Sequence, residues 1–167
     1  MQIISAFLVL ILILGCSTKK TDSELFGNAK NNLVEQKYPE AITALEQLVN
    51  DYPESNLAPE ALSELASIYQ NKQVKSLSEK QNLEKAVEIF QRLHEEYPTS
   101  EYAPSALFMA GFINANELQN FDAATEIYRQ FLSEYPNDEL AASAQAELDN
   151  MGLSPEEILI KNMAKEK

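Results

Sequence analysis

Three stretches of this 167-residue chain align without a gap: Lys37 to Pro53 (KYPEAITALEQLVNDYP), Asn82 to Pro98 (NLEKAVEIFQRLHEEYP) and Asn120 to Pro136 (NFDAATEIYRQFLSEYP). A repeat of this size marks a stacked array, in which each unit buries its apolar face only against its neighbours. Ala41, Ala86 and Ala124 form one column; Leu45, Phe90 and Tyr128 lie four residues on, and Pro53, Pro98 and Pro136 eight beyond those. The small residue lets two helices approach closely, and the large one fills the gap to the next unit. The proline ends the helix, having no N–H to donate. Apolar residues at offsets 0, 1, 4, 7, 8 and 11 (Ala41, Ile42, Leu45, Leu48, Val49 and Tyr52 in the first copy) have a helical period that no strand produces.

After each Tyr-Pro a second phrase repeats: PESNLAPEAL from Pro53, PTSEYAPSAL from Pro98 and PNDELAASAQ from Pro136. Ser55, Ser100 and Asp138 are the expected N-caps, and Pro59 and Pro104 fall in a first helical turn, so each phrase opens the first helix of the following unit. Those helices carry their own small residues, Ala66 and Gly111, and Ala29 takes that role in the first unit. The alanine column is spaced 45 residues and then 38, which places a seven-residue insertion at Lys72 to Lys80, expected to form a longer, mobile loop.

The A-x3-F-x7-P spacing resembles the second helix of a tetratricopeptide repeat. The long periods and the YPxSxxAP phrase resemble the subfamily found in bacterial envelope lipoproteins, including the repeat regions of the barrel-assembly lipoprotein and the Tol-Pal coordinator. The resemblance covers residues 25–150. It implies an all-α tetratricopeptide-repeat solenoid of about three helix pairs plus a half-unit, spanning 23–151, with a C-terminal capping helix or tail in 152–167. Ser154-Pro155-Glu156-Glu157 offers a helix start for that last segment, and Ile158, Leu159, Ile160 and Met163 are expected to cover the exposed face of the last unit. A partner-binding tail is the rival reading.

Residues 1–18 carry no charge, and Ile3 to Leu14 is an apolar run too short to span a membrane. It ends in Ile13-Leu14-Gly15-Cys16, which resembles the lipobox of bacterial lipoproteins, and the composition turns polar at Ser17. The resemblance implies a signal peptide over 1–15, acylation of Cys16, a polar tether over 16–22 and, from the Ser that follows the Cys, an outer-membrane location facing the periplasm. An uncleaved anchor and a buried free thiol are the alternatives.

Composition removes most chemistry. With 13 Lys and Arg against 26 Asp and Glu the chain has a formal charge of −13, which disfavours a phosphate backbone as partner. One Cys and one His cannot build a zinc site or a Cys/His pair, and no phosphate-binding loop, nucleophile elbow or calcium loop occurs. No enzyme, cofactor, metal or nucleic-acid partner is expected. His94 stands where Val49 and Leu132 stand in the other copies, so its expected role is packing. Residues 93–157 hold 13 acids and one base, whereas 21–92 hold 12 acids and seven bases. That asymmetry serves either solubility or the steering of a basic partner.

A non-enzymatic scaffold follows, presenting a groove lined by the first helices to a peptide or protein of the envelope. The alternative is a permanent structural subunit of an outer-membrane protein assembly or envelope-maintenance complex. The side opposite the second-helix contact falls three before, one after and five after each small residue. Those positions are Phe26, Lys30 and Val34; Ser63, Ser67 and Asn71; Phe108, Phe112 and Asn116. Phe108 and Phe112, four apart on one helix, make either an apolar anchor for the partner or part of the core.

Overall fold

The computed structural model describes residues 19–165, with the backbone alone at 162 and 165; the expected signal peptide over 1–15, Cys16, Ser17 and Thr18 lie outside the described residues. The fold is helical throughout: α1 (Asp22–Val34), α2 (Tyr38–Asp51), α3 (Ala58–Gln70), α4 (Glu79–Glu96), α5 (Ala103–Phe112) running on into a π-turn (Ile113–Glu117), α6 (Phe121–Glu134), α7 (Ala141–Asn150) and α8 (Pro155–Lys165). Each helix from α1 to α7 packs on the next in chain order, giving the pairs α1/α2, α3/α4 and α5/α6 and the half-unit α7. This is the tetratricopeptide-like solenoid that the repeat implies.

The second helices end alike. Tyr52, Tyr97 and Tyr135 are their C-caps, donating backbone N–H to Leu48, Leu93 and Phe131, and the proline that follows has none to give. The first helices begin two residues later than expected. Leu57, Tyr102 and Leu140 hold the cap positions, while the side chains of Ser55, Ser100 and Asp138 accept the N–H of the residue two on, at 3.1, 3.1 and 2.8 Å. These short polar side chains close a local turn before the helix instead of capping it. Pro59 and Pro104 do sit in the first turn.

Ala29, Ala41, Ala66, Ala86 and Ala124 are completely buried at the helix contacts. The buried stripe of the second helices is rotated from the expected one. Offset 3 (Ala44, Ile89, Ile127) is buried, whereas Ile42 and Val87 at offset 1 are half-exposed. A second helix meets both its own first helix and that of the following unit, so its apolar face centres between the two contacts.

The spacing from first-helix small residue to second-helix alanine differs between units, and each excess is absorbed differently. Ala29 to Ala41 spans 12 residues, Ala66 to Ala86 spans 20 and Gly111 to Ala124 spans 13. In the second unit the excess forms the 71–78 connection and one additional turn at the start of α4. The connection is tied down rather than loose. Buried Asn82 donates from Nδ2 to the carbonyls of Val74 (3.0 Å), Leu77 (3.4 Å) and Ser78 (3.0 Å), and Val74 and Leu77 pack on the core. In the third unit the single added residue is wound into the π-turn, where buried Asn114 donates to the Ala110 carbonyl at 2.8 Å. The π-turn keeps Gly111 against Tyr128. A Cβ at 111 would lie 2.9 Å from the Tyr128 ring, so the bulkiest large-column residue faces the one first helix with no Cβ there.

At the C-terminus, Ser154 and Glu157 form a reciprocal cap, and Lys161 Nζ donates to the Asp149 carbonyl at 2.6 Å and to Asn150 Oδ1 at 3.2 Å. Of the four apolar residues expected to cover the last unit, Ile158 is half-buried, but Leu159, Ile160 and Met163 are 60, 67 and 58% exposed. Three consecutive helical residues sweep about 200° around the axis, so they cannot all face one neighbour.

Candidate functional site

The register places all nine expected groove positions outside the buried core: Phe26, Ser63, Ser67, Phe108 and Phe112 are half-buried, and Lys30, Val34, Asn71 and Asn116 exposed. They lie on α1, α3 and α5 with its π-turn, the helices whose other sides carry Ala29, Ala66 and Gly111 inward.

Side chains join these first helices directly. Lys30 of α1 pairs with Glu64 of α3, and that bond holds the Lys30 ammonium above the usual lysine range. Its charge also stands 5.6 Å above the Phe26 ring. Lys72, just past α3, pairs with Glu117 of the π-turn at 2.9 Å and is likewise raised. Asn116 donates to Glu147 of α7 at 3.3 Å. Within α3, Ser67 Oγ donates to the Ser63 carbonyl and Asn71 Nδ2 to the Ser67 carbonyl. The result is a polar surface cross-braced by solvent-exposed pairs, each individually weak because water screens it.

Phe108 departs from its expected direction. Its ring lies 5.6 Å from Tyr128 and 6.0 Å from Phe131, both on α6, so it packs against the second helix of its own unit. Phe112, one turn later, has no such aromatic neighbour among the described residues.

Sequence reasoning missed the acids of this surface, because Glu64, Glu117 and Glu147 fall outside the repeated columns. It also missed an open cleft of about 550 Å³ where the π-turn, the start of α6, α7 and α8 meet. Phe121 and Leu153 line it, 41 and 37% exposed, together with Asn116, Gln119, Glu147 and Ile158. The signal was an apolar residue at the second position of the third copy, more exposed there than half-buried Tyr38 and buried Leu83 in the others.

His94 is buried between α4 and α6. Its Nδ1 is 3.2 Å from the Tyr135 hydroxyl and its Nε2 3.1 Å from Glu134 Oε2 and 3.3 Å from Gln130. With Tyr135 donating to Nδ1 and Nε2–H donating to Glu134, the Gln130 amide donates to Glu134 Oε1 at 2.9 Å and not to the ring. Burial and the neighbouring acids, Glu134 foremost, hold the Tyr135 hydroxyl above its usual range. The cluster locks the second unit to the third. Tyr128, deeper in the third unit, is also pushed up by burial, and its hydroxyl has no hydrogen-bond partner. Among the described residues no group of acids, His and Cys converges as metal ligands would.

No curated protein matches the chain. A family model described as an outer membrane lipoprotein matches residues 18–162, from two residues beyond Cys16 to within α8. A match over that length, on a helical array with the expected repeat register, means that the chain belongs to the YfiO family of outer membrane lipoproteins.

Proposed function

We propose that this protein is a non-enzymatic scaffold, anchored by acylated Cys16 to the outer membrane and facing the periplasm, whose first-helix surface receives a peptide or protein of the envelope. The observation that carries the reading is the surface running across α1, α3 and α5 with its π-turn: Phe26, Ser63, Ser67 and Phe112 are only half covered, and the Lys30–Glu64 and Lys72–Glu117 pairs brace it from helix to helix. Partly apolar side chains on rigid helices suit an extended or helical segment, because little order has to be created in the receiving surface. Lys30, Ser63, Ser67, Asn71 and Asn116 supply polar contacts, and Phe112 the apolar one. Phe108 serves from behind by supporting the α5–α6 contact. The strongly acidic 93–157 region favours a basic segment or partner.

Amine-reactive crosslinking in cells, followed by mass spectrometry, tests this. Lys30 and Lys72 should be joined to an envelope protein, and Lys37, Lys80 and Lys85 should not. Links spread evenly over all five lysines would remove the surface from consideration. A second reading, a permanent subunit of an envelope assembly, draws on the exposed Leu159, Ile160 and Met163 of α8. A partner that stays at fixed stoichiometry through purification favours it, and one that exchanges on dilution favours the scaffold.

A further inference from the structure

The segment leading into α1 is polar and reads as a leash, yet it is built into the fold. Tyr52, the C-cap of α2, donates its hydroxyl to the Lys20 carbonyl at 2.7 Å. Lys19 pairs with Asp51 at 3.5 Å, and its ammonium lies 4.9 Å from the centre of the Tyr52 ring. One turn further on, Ser55 Oγ donates to Asp22 at 2.5 Å, and this bond is the main reason the Asp22 carboxyl sits below its usual range. The next unit shows what these contacts replace. There Tyr97, the equivalent tyrosine, donates to the Pro53 carbonyl of the preceding Tyr-Pro turn at 2.9 Å. The first unit has no Tyr-Pro turn before it, and Lys20 supplies the missing carbonyl.

We propose that residues 19–22 act as a docked foot, holding the end of the first unit where α2 finishes against the lipid headgroup layer. The inference rests on acylation of Cys16. From Cys16 to the start of α1 at Asp22 is six residues, a reach of about 20 Å if free; docking at Lys19 leaves three, a reach of about 10 Å. The other end of α2, a 14-residue helix, lies about 20 Å further along its axis. The short reach limits how the array can turn over the membrane and keeps the start of α2 away from the headgroups.

Because the single cysteine is consumed by acylation, an introduced thiol can be labelled alone. Asn50→Cys and Glu40→Cys place a fluorophore on exposed positions at the two ends of α2. The full lipidated protein is reconstituted into phosphatidylethanolamine and phosphatidylglycerol vesicles carrying a headgroup nitroxide. A large loss of fluorescence at position 50 and little at position 40 is expected. Adding Tyr52→Phe and Lys19→Gln, which remove two exposed contacts without touching the core, should bring the two losses together. Equal losses in the parent, or a difference that survives the double substitution, would overturn the docked foot. A chain that fails to float with the vesicles would instead overturn acylation, and the orientation with it.

Discussion

At the N-terminal end of the array polar groups finish the stack, while at the C-terminal end apolar ones are left uncovered. Tyr52, Ser55 and Asp51 hold residues 19–22 where a preceding unit would stand. At the other end α8 is held by Lys161 on the carbonyl end of α7, and Leu159, Ile160 and Met163 face outward beside a cleft containing Phe121 and Leu153. The difference bears on function. An array end needs a polar outer face for solubility, and here one end presents the mostly polar outer side of α1 beside the tied-down residues 19–22, while the other keeps apolar surface. The first end suits attachment, and the second has surface to offer a partner.

Breaking the attached end should have the largest effect. Cys16→Ala should leave an unprocessed or soluble protein, because the chain has no second cysteine to carry the lipid; a processed chain retained on membranes through a carbonate wash would contradict this. In the third unit, Phe108→Ala should lower stability by about 2–4 kcal/mol in chemical denaturation, since its ring packs on Tyr128 and Phe131. Phe112→Ala should lose less and weaken partner capture instead. Equal losses would mean that both rings serve the same role.

Ala86→Leu or Ala124→Leu should cost about 1–3 kcal/mol, because both alanines are completely buried at helix contacts and new methylenes have no space. Tyr128→Phe should leave stability unchanged or raise it by about 1 kcal/mol, since the hydroxyl it removes is buried without a partner. A clear loss would mean that the hydroxyl is satisfied. Ile160→Ser should change the melting temperature least, as expected for an exposed side chain outside the core. A large drop would show that α8 covers the array after all.

The repeat made the units, the small-residue contacts and the helix ends at Tyr-Pro legible, because steric columns repeat wherever the same contact repeats. Other features depend on single residues facing one another. Nothing in a column of alanines announces that the extra residue between Gly111 and Ala124 would be wound into a π-turn. That follows from the need to keep Gly111 opposite Tyr128. The spacing of the alanine column led to the expectation of a mobile loop within 72–80, and one buried amide, Asn82, ties the 71–78 connection down. The expected groove positions stayed off the core as a set, yet Phe108 turned back onto α6, where neighbouring aromatic rings gave it more contact than solvent does. Lys20 carries no signal in its side chain, because its carbonyl makes the contact.

The central claim is that a partner sits on the surface of the first helices and not on the outward sides of the second. A photoreactive amino acid placed in living cells at Ser67 or Asn116, and for comparison at exposed Glu46 of α2 or Glu88 of α4, tests it most directly. The account predicts one discrete adduct with an envelope protein from positions 67 and 116 and none from 46 and 88. Adducts from 46 and 88 alone, or equal yields from all four positions, would contradict it.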